Sequence, residues 1–301
     1  NDMRRILAYS IVNQVGFMVA GAGLGSELAI NGAAAHAFAH IVYKGLLLMS
    51  AGSVLLMTGR SRCSELGGLF RTMPLTTLCG TVGALAISAF PLTSGFVSKS
   101  MVSQAAADAH LAWLWLALTA ASAGVFLHAG IKFPWFVFFQ KDSGLRPPEP
   151  PWNMRLAMVL FALVCVGLGA YPAPLYALLP YPVDYVPYTS AHVLSQLQLL
   201  LFSGLAFFVM LPWLKRTLTI TLDTDWLYRR GGARLARRLT DGVGEAVGRL
   251  EGAAKRLLTR GFTRIQRHHG PGGLLARTWP TGSMVLWVAI LLASYLLLYY
   301  L

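Results

Sequence analysis

MPLTTLCGTVGALAISAFPLTSGFVSKSMVSQAAA, residues 73–107, is apolar or small throughout apart from Lys99, several hydroxyls and Gln104. At about 1.5 Å per residue, a straight helix of that length would far exceed a ~30 Å hydrocarbon core. The helix is therefore expected to break. Pro91 supplies the break, because proline removes a backbone donor and clashes with the preceding turn, and Ser94 and Gly95 follow within the same expected loop. Broken backbone at membrane depth survives only where protein or a wet cavity satisfies the freed groups, and a lysine two turns on needs the same shelter. Broken helix and buried cation together point to an ion path.

The surrounding sequence supports a membrane setting: 55% hydrophobic, 12% charged, mean hydropathy +0.57. Spans are expected near 6–23, 33–57, 73–107, 111–139, 156–178, 193–214 and 283–301. With residue 1 in the cytoplasm, the inside segments carry Arg4, Arg5, Arg60, Arg62, Arg71, Lys141, Arg146 and Arg155, and the outside loops at 24–32, 108–110 and 179–192 carry no Lys or Arg. Reading 73–107 as two full crossings would put the most basic part of the chain outside. The opening residues show no cleavable-signal pattern, and the start at Asn1 leads to the expectation that the chain begins within a longer protein. Cys63, Cys79 and Cys165 lack metal-ligand spacing and are expected as small buried hydrophobes.

Residues 215–277 hold 14 Lys and Arg against 5 Asp and Glu, which accounts for most of the net charge of +13. Leu235, Leu239, Val243, Leu250, Ala254 and Leu257 recur on one helical face, with Arg234, Arg237, Arg238, Arg249, Lys255, Arg256 and Arg260 mostly opposite. This pattern describes an amphipathic helix lying on the cytoplasmic membrane surface. Spans before and after it tether it, and no recognition motif accompanies the charge, so no nucleic-acid partner is expected. The expected fold class is all-α: a polytopic membrane helix bundle of about seven transmembrane helices, one discontinuous, plus this surface helix.

In the second span His36, His40 and Lys44 are spaced four apart, which places them on a gently spiralling stripe with steps of ~6 Å along the axis. Histidine titrates near neutral pH and a desolvated lysine exchanges its proton more readily, so both residue types suit a relay. His36 and His40 alone could also form a metal pair, but no further His, Asp or Glu in a span completes a coordination set, and no metal is expected. An intramembrane metal enzyme built on the two histidines and an inactive structural subunit remain the rival readings. His128 and Lys132 repeat the i, i+4 spacing in the fourth span, as a cytoplasmic mouth or, for Lys132, a snorkelling side chain. Tyr9, Ser10, Asn13 and Gln14 form a polar patch in the first span, read chiefly as helix packing. No Asp or Glu lies inside a span, and no nucleotide, flavin, iron–sulfur or quinone motif is visible, so no cofactor is expected.

The runs DMRRILAYSIVNQVGF (2–17), HAFAHIVYKGLL (36–47) and FPLTSGFVSK (90–99) resemble the C-terminal half of the proton-conducting antiporter-like membrane subunits. That family includes the L, M and N subunits of respiratory complex I and the A and D subunits of Mrp-type cation/proton antiporters. Residues 130–214 look most like the Mrp D subunit. The resemblance implies a fold of two inverted five-helix repeats, of which residues 1–214 would hold the second and the helices after it. It implies Lys99 as a central proton-transfer group and His36, His40 and Lys44 as its relay. Residues 215–282 would be a shortened lateral helix, entered through Asp223–Arg230, and 283–301 a membrane anchor. The implied protein is a transporter subunit, not an enzyme in its own right, or a part of an NADH:quinone oxidoreductase without its own redox site. Its partners would be the lipid bilayer, neighbouring membrane subunits of an Mrp-type or complex I-type assembly, protons, and Na+ as a candidate exchanged ion. The setting would be the cell inner membrane, with residue 1 and 215–282 cytoplasmic and the C-terminus outside.

Overall fold

The structure, a computed structural model, describes residues 1–213, 227–273 and 276–300, which are helical apart from turns and loops. They fall into two compact units, Asn1–Thr219 and Ile220–Leu301. In the first unit α1 (Met3–Leu24) begins where the Asp2 carboxylate accepts from the amides of Arg4 and Arg5, and it ends at Gly25 with φ 70°. Ser26 caps α2 (Glu27–Thr58), which ends at Gly59 with φ 65°. Serine and aspartate satisfy orphan amides at helix starts, and glycine takes the left-handed turn that closes the last carbonyls.

α3 (Pro74–Ile87) and α4 (Ser94–Asp108) are the two halves of the expected broken span. The amides opening α3 are capped from a distant loop: Glu149 Oε1 accepts from Leu75 N at 2.6 Å and Thr76 N at 3.2 Å. α5 (Ala112–Phe139), α6 (Trp152–Ala170) and α7 (Ser190–Met210) complete the unit. α2 is the central helix and packs on α1, α3, α4 and α6. Its close approach to α4 requires a glycine: a Cβ on Gly32 would stand 2.9 Å from Met101 Cβ.

Six helices among the described residues are long and apolar enough to cross a membrane, namely α1, α2, α5, α6, α7 and Thr281–Tyr300. The remaining expected crossing, third along the chain, is the pair α3 and α4. The fifth is shorter than expected, because the helix stops at Ala170 ahead of Tyr171-Pro172, and a proline disfavours helical backbone in the residue before it. The fourth is not uniform: wide π turns occupy Phe126–Ile131 and Trp135–Phe139 on either side of Pro134, whose missing amide loosens the ladder.

In the second unit a wide turn at Leu227–Gly232 leads into α8 (Ala233–His269), and α9 (Thr281–Tyr300) follows. Leu235, Leu239, Val243, Leu250 and Leu257 are all exposed within this chain. Residues 223–226 of the run expected to open the lateral helix, and Leu214 at the end of the sixth expected span, lie outside the described residues.

Candidate functional site

Four ionisable side chains from two helices gather inside the first unit: His36, His40 and Lys44 on α2 and Lys99 on α4, all buried. The His36 and His40 rings stack with centroids 6.3 Å apart. His36 Nδ1 lies 3.0 Å from Ser98 Oγ, one residue before Lys99, which joins the α2 stripe to α4. Phe17 of α1 is shared by both: its ring centroid is 5.1 Å from Lys99 Nζ and 5.9 Å from the centre of the His36 ring. At the other end Lys44 Nζ donates to Ser10 Oγ at 2.5 Å and to the Leu7 carbonyl at 3.3 Å. A buried ammonium is tolerable only with such acceptors around it.

The break places Lys99. α3 ends at Ile87, four residues before Pro91, and the chain turns through Ala89 (φ 56°) and Leu92 (φ 67°) before α4 begins. Left-handed backbone at two non-glycine residues costs energy, and the helix end leaves carbonyls without partners. Lys99 Nζ donates to the Ile87 carbonyl at 2.7 Å, and Gln196 Nε2 donates to that of Ser88 at 3.1 Å. A cation at a helix C-terminus also suits the helix dipole. Ser94 and Gly95, expected in the loop, are instead the first residues of α4. Gly95 is needed there because a Cβ would run into the Ala86 carbonyl oxygen. Pro91 thus sits inside a six-residue interruption and is not the point at which α3 stops.

Tyr43 gives no distinguishing signal in the sequence, although it lies on the same stripe, one α2 turn from His40. Its hydroxyl donates to Gln14 Oε1 at 2.7 Å and stands 3.4 Å from His36 Nε2. Ser10 and Gln14, read chiefly as packing, therefore belong to the polar line. Asn13 matches the packing role, donating across to the Ala121 carbonyl at 3.1 Å. His40 Nε2 is a buried nitrogen without a hydrogen-bond partner. Among the described residues, His36 and His40 are not joined by a third His, Cys, Asp or Glu into a metal-holding group. His128 and Lys132 lie half-buried on α5, His128 in the first π turn and Lys132 just after it.

Residues 1–124 match the family described as NADH:quinone oxidoreductase/Mrp antiporter, TM. The chain is 34% identical over 179 residues to the A/B subunit of a probable K(+)/H(+) antiporter of Rhizobium meliloti, covering 57% of this chain and 18% of that one. It is 31% identical over 196 residues to NADH-ubiquinone oxidoreductase chain 5 of Dictyostelium citrinum, covering 61% and 28%. Among solved structures, the membrane-bound sulfane sulfur reductase, an archaeal respiratory membrane complex, aligns over 98% of this chain and 52% of the matched chain, with a TM-score of 0.57 and 22% identity. That likeness speaks to fold. The chain spans between about a fifth and a third of the length of the curated relatives it matches. Residues 1–124 are thus the part of this chain that is similar to the NADH:quinone oxidoreductase/Mrp antiporter transmembrane family.

Proposed function

We propose that this chain is part of a proton-translocating membrane subunit of a multi-subunit complex, of the Mrp-type monovalent cation/proton antiporter kind and most like the D subunit. Residues 1–214 form the channel half, 215–282 a cytoplasmic surface helix with its linkers, and 283–301 a membrane anchor. Protons move along Lys44, His40, His36 and Lys99, with His128 and Lys132 at the cytoplasmic mouth and Na+ as a candidate exchanged ion. The protein sits in the cell inner membrane with residue 1 inside and the C-terminus outside.

One observation carries this reading: the α2 stripe meets a lysine that closes the end of a broken helix, with hydroxyls of Ser10, Tyr43 and Ser98 interleaved. A proton hop needs donors and acceptors within hydrogen-bond reach or one water apart. Tyr43 has one hydroxyl hydrogen and two acceptors, Gln14 and His36, so turning that hydroxyl changes which group holds the bond. A second reading, a proton-pumping subunit of complex I without its own redox site, is supported by the likeness to NADH-ubiquinone oxidoreductase chain 5.

Substitution of Lys99 in the full-length protein, assembled in its complex, tests the relay. A relaying lysine must release its proton, and arginine keeps its charge at any accessible pH. Lys99→Arg and Lys99→Ala are both expected to reduce proton-coupled transport at least tenfold in proteoliposomes, with Lys44→Ala and His40→Ala intermediate. Wild-type transport by Lys99→Arg would make Lys99 a fixed structural charge and end the relay reading.

A further inference from the structure

A cavity of about 430 Å³ opens beside Lys99 between α4, α5 and α7, walled in part by Lys99, Ser100, Ser103, Ser122, His192 and Gln196. Trp115 and Phe202, which also line it, are 45% and 65% exposed, so the cavity reaches the surface of this unit. Lys99 and His192 are the two ionisable side chains among its lining residues. The line on α2 makes no use of His192.

His192 stands in the first turn of α7, where its amide donates to the capping hydroxyl of Thr189 at 3.2 Å. Two contacts fix its ring. Nδ1 lies 2.7 Å from the Pro187 carbonyl oxygen, and the ring stacks on Phe96 with centroids 4.4 Å apart and an 18° tilt. Phe96 is braced in turn by Tyr188, at 5.2 Å. A carbonyl only accepts, so Nδ1 carries the hydrogen and the neutral ring keeps a free lone pair on Nε2. Aromatic stacking and a local hydrogen bond together hold an imidazole in one tautomer at the wall of a polar cavity.

We propose that His192 continues the proton line beyond Lys99, and that water in this cavity carries protons between Lys99 and the surface. The inference rests on the relay reading of Lys99. In one direction, the Lys99 ammonium gives a proton to water as its N–H bond breaks. Water then gives a proton to His192 Nε2, forming the imidazolium, and release to bulk water restores the neutral ring. No electrons change hands, and each water regains the proton it loses. The hydroxyls of Ser100, Ser103 and Ser122 supply the polar partners that water needs in a cavity of this size.

The test uses the complete complex in proteoliposomes. His192→Gln is expected to lower proton-coupled transport about tenfold, with assembly yield unchanged and with recovery when imidazole is added to the buffer. Lys99→Ala should abolish transport without such recovery. A wild-type rate in His192→Gln beside a dead Lys99→Ala overturns the role of His192 and leaves the relay standing, whereas a wild-type rate in Lys99→Ala removes both. A loss in His192→Gln that imidazole does not restore assigns His192 a packing role and overturns the proposal. Independently of that variant, Ser122→Cys should react with a small water-soluble thiol reagent within minutes, although Ser122 is only 7% exposed. No labelling there would overturn the aqueous route.

Discussion

Lys99 Nζ reaches the Ile87 carbonyl because α4 starts a few residues after α3 stops, so one side chain both closes a helix end and meets the α2 stripe through Ser98. Tyr43 plays the matching part on α2. Its loss should be felt in stability as well as in transport: Tyr43→Phe leaves the Gln14 carbonyl oxygen buried without its donor, a cost of about 1–3 kcal/mol. Thermal unfolding in detergent should show that loss. Tyr43→Phe combined with Gln14→Leu should be milder than the sum of the two changes, since the pair then disappears together. Of these residues, the four ionisable groups were legible in the sequence as expensive exceptions inside apolar spans. Tyr43, Ser10 and Gln14 were not, because a hydroxyl or amide in a membrane helix costs little and is common at packing contacts. His192 carries no such signal, because it ends the 179–192 loop and lies outside the expected spans.

At the scale of elements, α3 depends on a cap from the loop after α5. Glu149→Ala removes the two hydrogen bonds donated by the Leu75 and Thr76 amides and the one donated by Thr76 Oγ1 at 2.6 Å, and about 1 kcal/mol of stability should go with them. Faster hydrogen exchange confined to Leu75 and Thr76 would check it. The same loop carries a pH-dependent clamp. Asp142 accepts from Arg146 at 2.6 Å and from the Gly144 amide at 2.9 Å, which hold its carboxyl well below the usual carboxylate range. A depressed value means that the clamp is fully present above the ordinary carboxylate range and is lost only as pH falls through the lower folded value. Protection of the Gly144 amide should therefore stay constant from neutral pH to about pH 4, and Asp142→Asn should lower it across that window. On α8, Leu239→Glu with Leu250→Glu places charge on the apolar stripe and should reduce assembly yield of the complex at least several-fold on native gels, with the spans still inserted.

Across the whole chain the asymmetry of lysine and arginine gives a topology that reporters can check. A fusion at Ala246 should read as cytoplasmic and one at Val186 as lying on the opposite side. A reversed result at either position would refute the orientation. That prediction draws on the sequence alone, as do the helical class, the approximate placing of the spans, the amphipathic face of α8 and the position of the line on α2. Each of these depends on local order: a 3.6-residue period, the length of an apolar run, the sign of flanking charge. The tertiary structure decided the rest. Gln14, Tyr43, Ser98 and Gln196 join the buried polar contacts only when separate helices pack together, and Lys99 meets Ile87 only because two positive-φ residues turn the chain between them. The cavity joining Lys99 to His192 is likewise a space between three helices, which no periodicity along one segment can describe. Propensity and hydropathy are properties of a window of residues, whereas a line of buried polar contacts is a set of distances between windows, and packing alone sets those distances.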